Sequence, residues 1–367
     1  MNHKIRKIGI ALLATLWLGV AIIAWFSPSE DISVSERRPL QQMPELSTDS
    51  LLGGNFMVKF GDYTLDQFPW RDDFRTVKSL FAYYVLGQKD NNGIYMEDGY
   101  AAKLEFPLNT TSVNYAVNKF NSIYQKYLKD TNSNIYVTVI PDKGYYLGEK
   151  YGYPTMDYTA LFEKVSIGMP WADMIDITST LDITDYYRTD THWRQEKLFD
   201  TAQTLCEALG VSSAREGECA IVTATQSFYG VYYGQAALPM DPEDLYVLEN
   251  GILSACRVYN HETKAYTGLY DLQKLSGLDP YDVYLSGPQA LLTIENPNAT
   301  TDRELILFRD SFGSSLAPLL VKDYKTVTLV DIRYVSSQML ENYLAFHGQD
   351  VLFAYSTLIL NSSAVLK

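Results

Sequence analysis

The sequence predicts an α/β protein: a parallel sheet covered by helices on both faces, carried behind one N-terminal membrane-spanning helix. Two observations predict it. Short, nearly all-apolar runs at Ile135–Ile140, Leu305–Phe308, Val327–Val330 and Val351–Leu360 alternate with stretches of helical periodicity. Strands apolar on both faces are buried on both faces, as in a parallel sheet between two helix layers. Ahead of them, Ile8 to Phe26 contains no charged residue.

The N-terminal run sets the compartment. At about 1.5 Å per residue, a helix over Ile8–Phe26 nearly crosses a hydrocarbon core of roughly 30 Å. Lys4, Arg6 and Lys7 precede it. Basic flanks stay cytoplasmic, so the chain after Phe26 is expected outside. A cleaved signal peptide is the rival reading, but its apolar region is shorter, about 7–15 residues. No small-x-small cleavage site follows, and Trp25 and Phe26 read as interfacial anchors. Both readings put the body in the same compartment. The expected organisation is a cytoplasmic flank (1–7), an anchor (8–26), a stalk or loosely held arm (27–50) and an extracytoplasmic body (51–367). A second long apolar run is absent, which argues against a polytopic protein.

Composition excludes several functions. The formal charge over 367 residues is −14. An acidic body without a Lys/Arg stripe is a poor partner for nucleic acid or bare anionic lipid. The three cysteines, Cys206, Cys219 and Cys256, have no C-x-x-C or zinc-ligand spacing. A Cys206–Cys219 disulfide and buried free thiols both remain open. The 29 tyrosines suit either a sugar-binding groove or ordinary packing.

Along the body, residues 51–88 place apolar residues at helical spacing. Residues 91–100 read as a hairpin, with the turn dipeptides Asn92-Gly93 and Asp98-Gly99. Helical periodicity returns at 111–128. Ile135–Ile140 ends at Pro141, and 158–178 holds a helix and a strand. Residues 191–209 predict a helix on which Trp193, Leu198, Ala202, Leu205 and Leu209 share a face, stopped by Gly210. Residues 220–300, turn-rich and aromatic, read as a β-rich insertion on the main sheet.

Histidine is scarce, with four in the chain. His3 lies on the flank, and His261 and His347 sit in turn-like settings. His192 has Asp190 two residues before it, and a carboxylate there can orient the imidazole for general-base work. Equally, Asp190 could simply cap a helix. Ser311 follows the Leu305–Phe308 strand and opens a helix-like stretch, where ligands bind in parallel α/β sheets and where N–H donors suit an oxyanion. Asp310 or Ser311 could also be plain caps. A serine nucleophile needs a base, and the base needs an orienting group; Ser311, His192 and Asp190 supply the three types.

The pairing of DTHW with a later strand, DSFG and helix resembles the SGNH-hydrolase-like proteins related to alginate O-acetylation proteins, and more closely the DHHW family of Gram-positive bacteria. Further blocks occur in that family's order: FPWRDDF (68–74), NNGIYMEDGY (91–100), VIPDKGYYL (139–147), RDSFGSSLAPLL (309–320) and VDIRYV (330–335). The resemblance implies a three-layer α/β/α SGNH-hydrolase-like domain in permuted motif order. It implies Ser311 as nucleophile, His192 as base and Asp190 as orienting acid, in an O-acyltransferase, with acetyl as the acyl group, acting on a cell-envelope polysaccharide of a bacterium. It further implies a membrane-bound O-acyltransferase as partner and no cofactor; no coenzyme-A or nucleotide motif is visible. Thr191 stands where the family often has His, and Arg309 where SGNH enzymes have Gly. Arg309 and Lys143 are candidate substrate contacts, Arg333 a candidate lining residue, and Asn361 a guess for the oxyanion site. An esterase using the same site, and a glycan-binding or assembly factor without turnover, are the alternatives.

Overall fold

The buried runs become neighbouring strands because each is apolar on both of its faces. The structure, a computed structural model, describes residues 3–367; the first two residues of the expected flank lie outside the described residues. The chain forms two units, one comprising residues up to Asn91 together with Gly234–Pro239, the other Asn92–Tyr233 with Met240–Lys367.

In the first unit, α1 runs His3–Phe26. Its stretch Lys4–Phe26, 23 residues with mean hydropathy 2.3, is long and apolar enough to cross a membrane, as an anchor or a signal sequence would. The helical pattern of 51–88 breaks into pieces. α2 spans Asn55–Asp66 and α3 spans Arg71–Leu80, continuing as a π-turn over Phe81–Val85. Pro69 disfavours helix at the residue before it, and Trp70 adopts a left-handed φ of 55°. Residues 30–41 are not a loose arm. Arg38 donates to both carboxylate oxygens of Asp66 at 2.9 and 2.6 Å, and the Glu30 N–H donates to Gln67 Oε1 at 2.9 Å.

The second unit begins with the predicted hairpin, β1 (Ile94–Glu97) and β2 (Tyr100–Lys103). Asp98 and Gly99 turn it with φ of 50° and 81°, the pair of left-handed residues that an Asp-Gly turn supplies. Then come α4 (Thr110–Ile123), β3 (Ile135–Ile140), α5 (Lys143–Tyr151), α6 (Tyr158–Gly168), β4 (Asp173–Met174) and α7 (Phe199–Leu209). The insertion contributes β5 (Ala220–Phe228), β6 (Glu243–Glu249), β7 (Arg257–Asn260), β8 (Ala265–Thr267) and β9 (Leu291–Glu295). The chain closes with β10 (Glu304–Arg309), α8 (Phe312–Leu320), β11 (Thr326–Val330), β12 (Asp350–Ser356) and α9 (Thr357–Asn361).

The main sheet has eight strands in the order β8-β7-β9-β11-β10-β12-β3-β4. From β11 to β4 all pairs are parallel. The insertion adds β9, β7 and β8 as an antiparallel extension, so the sheet is mixed rather than purely parallel. Alternate residues face opposite layers. Leu305, Leu307, Leu352 and Ala354 pack with α7 and α8, whereas Ile306, Phe308, Val351 and Phe353 pack with α4 and α6. This is the three-layer α/β/α architecture.

Two boundaries differ from expectation. The last strand stops at Ser356, whose side chain accepts from the Ile359 N–H and caps α9. The helix expected over 191–209 starts only at Phe199. Upstream, the Tyr187 N–H donates to the His192 carbonyl at 3.0 Å and the Arg194 N–H to the Asp185 carbonyl at 2.6 Å, an antiparallel pairing that takes the groups a helix would use.

Phe353 is fully buried and stacks on Phe308 with ring centroids 4.6 Å apart. Phe353→Ala is predicted to destabilise this unit by about 3–5 kcal/mol, read as a lower denaturation midpoint. An unchanged midpoint would contradict the placement of this core.

Candidate active site

Parallel strands aim their carboxyl ends at one edge of the sheet, and three such ends are stitched together here. Beyond β10, Asp310 Oδ2 accepts from the Ser356 N–H at the end of β12 at 2.8 Å. The Asp142 N–H, after β3, donates to Thr357 Oγ1 at 3.1 Å. Ser311 sits at this edge, half-buried, at the N-cap of α8 with φ −62° and ψ −24°. The strand-to-helix turn is tight: a Cβ on Gly313 would lie 2.6 Å from the Arg309 Cβ.

The loop carrying Asp190 and His192 folds over this edge. Tyr186 bridges Trp193, and the Tyr187 N–H donates to the His192 carbonyl at 3.0 Å, closing a tight reversal. Within it, His192 Nδ1 lies 2.6 Å from Asp190 Oδ1, and His192 Nε2 lies 2.8 Å from Ser311 Oγ. Asp190 Oδ1 also accepts from the His192 N–H at 3.0 Å, and Oδ2 from the Val231 N–H at 2.8 Å. With its carboxylate partner, Nδ1 carries the proton and Nε2 faces the serine as an acceptor. The ring is held on its face by Tyr281, stacked at 3.9 Å and 6°.

Trp193 welds the two motifs. Its indole N–H donates to the Phe312 carbonyl at 3.1 Å and to Ser315 Oγ at 2.9 Å, and Ser315 Oγ also bonds the Tyr281 hydroxyl at 2.7 Å. Gln195 Nε2 donates to the Ser315 carbonyl at 2.8 Å. The loop itself is held by Glu243, which accepts from the Arg188 and Thr189 N–H groups at 2.8 and 2.7 Å.

The structure therefore brings Ser311, His192 and Asp190 into one hydrogen-bonded line. The other sequence candidates stand elsewhere. Lys143 and Arg309, expected to contact substrate, are 2% and 1% exposed. Lys143 Nζ donates to the carbonyls of Tyr187 and Arg188 at 2.9 and 3.2 Å, inside the loop. Arg309 Nη1 donates to the Asp310 carbonyl and to Ser314 Oγ at 3.2 and 3.1 Å and faces Asp331 at 3.7 Å. Both brace the turn from within and present no face to a substrate. Arg333 pairs with Asp331 at 2.6 Å. Asn361 accepts from the Asn109 N–H at 2.7 Å and donates to Glu105 at 3.1 Å, so its amide is engaged away from Ser311. Cys206, Cys219 and Cys256 are free thiols, which settles the disulfide alternative.

Three contributors escaped the sequence reading: Glu243, Gly230 and Tyr281. A Cβ on Gly230 would lie 2.2 Å from the Asp190 Cβ, so the backbone must pass bare against the carboxylate residue. Their common signal is position: all lie in the aromatic insertion, without a motif of their own.

Burial shapes the charges. It pushes Lys143 down to about 7, against the pull of Asp190, Glu243 and Asp142. It pushes the Asp142 carboxyl up to about 6. Arg309 is likewise lowered by burial, with Asp331 opposing.

The DHHW protein family matches residues 176–330 of the chain. No curated protein matches it. Among solved structures, a DHHW family protein from Eubacterium siraeum is 21% identical with a TM-score of 0.60, covering 74% of this chain and 93% of that one. Bacillus cereus PatB1, solved with a sulfonyl adduct, is 17% identical with a TM-score of 0.56, covering 73% of this chain and 95% of that one. These likenesses are likenesses of fold.

Lys143 gives a pH test that needs no substrate. Its folded value of about 7 lies below the ordinary 10.5. Below the lower value both states hold the proton and the burial penalty stands in full. Between the two, only the unfolded chain keeps the proton, so stability rises with pH. At about 1.4 kcal/mol per pH unit, the gap amounts to a few kcal/mol. The stability of Lys143→Met relative to wild type is predicted to be greatest near pH 6 and to fall by that amount towards pH 10, measured by urea unfolding. A pH-independent difference would contradict it. Over its matched region, the chain resembles the DHHW proteins and has the fold of their solved member.

Proposed function

We propose that this protein is an extracytoplasmic O-acyltransferase, transferring an acetyl group to a hydroxyl of a cell-envelope polysaccharide through Ser311, His192 and Asp190. The observation that carries this reading is the line from Asp190 through His192 to the half-exposed Ser311. In it, Ser311 Oγ attacks the acyl carbonyl of the donor while its proton passes to His192 Nε2. The tetrahedral intermediate collapses, and His192 returns that proton to the departing donor oxygen. The ester on Ser311 is then attacked by a sugar hydroxyl, whose proton again goes to His192, and Ser311 is released. Asp190 keeps its charge throughout and stabilises the imidazolium. In this reading the Ser311 N–H is the backbone donor left for the oxyanion, because the N–H groups of Phe312, Gly313 and Ser314 are taken by Asp310 Oδ1, the Asp310 carbonyl and the Ser311 carbonyl at 3.0, 3.1 and 3.1 Å.

That PatB1, a protein of the same fold, was solved with a sulfonyl adduct is in keeping with covalent chemistry on this fold. In this proposal residues 8–26 anchor the chain, 27–50 connect, and 51–367 form the body outside, with 220–300 inserted. The resemblance to the alginate-type proteins supports a polysaccharide acceptor and a membrane-bound O-acyltransferase as the acyl supplier. Because Ser311 is only half-buried, an esterase using water as acceptor is the second reading.

An acetyl-transfer assay separates them. The purified chain is given an activated acetyl ester and a panel of neutral and uronic-acid oligosaccharides, with products read by mass spectrometry. Acetylated sugar is predicted, reduced by about 10²–10⁴-fold in Ser311→Ala and His192→Ala. Release of acetate at an equal rate with and without sugar would favour the esterase. Turnover of the donor unchanged in Ser311→Ala would overturn both.

A further inference from the structure

Helices on soluble surfaces turn their apolar stripe inward. In the first unit α3 and the π-turn after it do the reverse. Trp70, Phe74, Val77, Phe81, Tyr84 and Val85 recur at spacings of three and four, a stripe on one side of the helix, and all six are exposed. Trp70 is 55% exposed, Phe81 53% and Tyr84 73%. The opposite side is the one that is fastened. Arg71 and Arg75 pair with Glu36 at 2.5 and 3.2 Å, Asn91 Nδ2 donates to Ser79 Oγ at 2.7 Å, and Ala82 is buried.

The position of this stripe says what covers it. Within the same unit, one cleft is lined by Ile23 and Ser27 at the outer end of α1 and by Phe68, Pro69 and Trp70 at the start of α3. The chain leaving α1 is bonded to the residues that precede Trp70: the Glu30 N–H donates to Gln67 Oε1, and Gln67 Nε2 returns a bond to the Glu30 carbonyl, both at 2.9 Å. The stripe therefore starts at the level where the membrane-length apolar helix ends, and that helix itself closes on exposed Trp25 and Phe26. Tryptophan and tyrosine with aliphatic neighbours at that depth is the composition of a membrane interface. Of the basic residues on α3, Arg71 and Arg75 pair with Glu36 and Lys78 donates to Asn91 Oδ1 at 3.0 Å, with the acidic Asp72 and Asp73 among them, so burial of apolar area and not attraction to anionic lipid would hold the stripe.

We propose that α3 and its π-turn lie on the outer membrane–water interface with this stripe in the lipid, clamping the first unit to the bilayer at a second point. The inference rests on α1 being an anchor. It makes the unit a monotopic shoe around a single span, and fixes the unit's orientation on the bilayer.

The test uses the full chain in phosphatidylcholine vesicles, at low and high salt. Spin labels are placed one at a time through Phe74→Cys, Val77→Cys and Phe81→Cys, with Asp72→Cys as the aqueous control, in a Cys219→Ser background whose remaining cysteines are buried. Flotation of the unsubstituted chain with vesicles tests the anchor; a chain that stays in solution overturns both readings. For the floated chain, collision rates with oxygen and with a water-soluble nickel complex report depth. The proposal expects an oxygen-to-nickel ratio at 74, 77 and 81 several-fold above that at 72, unchanged by salt. A ratio equal to that at 72 overturns the proposal while leaving the anchor standing. Exclusion of both reagents marks contact with protein instead of lipid, and overturns it as well.

Discussion

A buried carboxylate governs the construction of this site. Asp190 is wholly inside the protein, and an ionised carboxylate taken out of water is tolerated only where hydrogen bonds replace its hydration. The His192 N–H, the imidazole Nδ1–H and the Val231 N–H do so. Each demand propagates. The contact between the His192 N–H and Asp190 would also suit a helix start; the motif sits on a loop because the His192 carbonyl accepts from the Tyr187 N–H and the Arg194 N–H donates to the Asp185 carbonyl. Approach of the Val231 N–H requires a bare backbone at Gly230. A loop with so many backbone groups turned towards carboxylates needs its carbonyls satisfied from elsewhere, and buried Lys143 donates to two of them.

The same constraint explains what the insertion is for. Glu243 and Tyr281 both come from it. The first holds the backbone of Arg188 and Thr189, and the second lies flat on the His192 ring. A base hydrogen-bonded at Nδ1 and stacked on one face keeps few orientations, and the remaining nitrogen meets Ser311. Preorganisation of this kind lowers the reorganisation needed when charge develops. Trp193 then ties the loop to the first turn of α8 through Phe312 and Ser315, so the imidazole and the serine are fixed to each other rather than separately to the sheet.

The sheet and the triad residues were legible because their signals are local. Four apolar runs announce strands, and Asp190 with His192 lie two residues apart in a chain poor in histidine. Ser311 follows directly on one of those strands. Illegible were features decided by long-range partners. Trp193 and Leu198 fit a helical face by spacing, yet the His192 carbonyl and the Arg194 N–H are paired with Tyr187 and Asp185 of the preceding segment, and the helix begins at Phe199. Val351–Leu360 is nearly all apolar, but the Ser356 side chain caps a helix in its midst. Lys143 looked like a substrate contact because it follows a strand, and Arg309 because it stands where SGNH enzymes have Gly; their burial reflects carbonyls and an aspartate, Asp331, supplied by other segments.

The central claim is that Asp190 and His192 activate Ser311, and covalent labelling by a fluorophosphonate tests it most directly, without knowledge of donor or acceptor. The account predicts that the wild-type chain labels at Ser311, and that Asp190→Asn and His192→Ala each slow labelling by at least about a hundredfold. A wild-type chain that stays unlabelled where a control serine esterase reacts, or one that labels equally fast in all three forms, would contradict it.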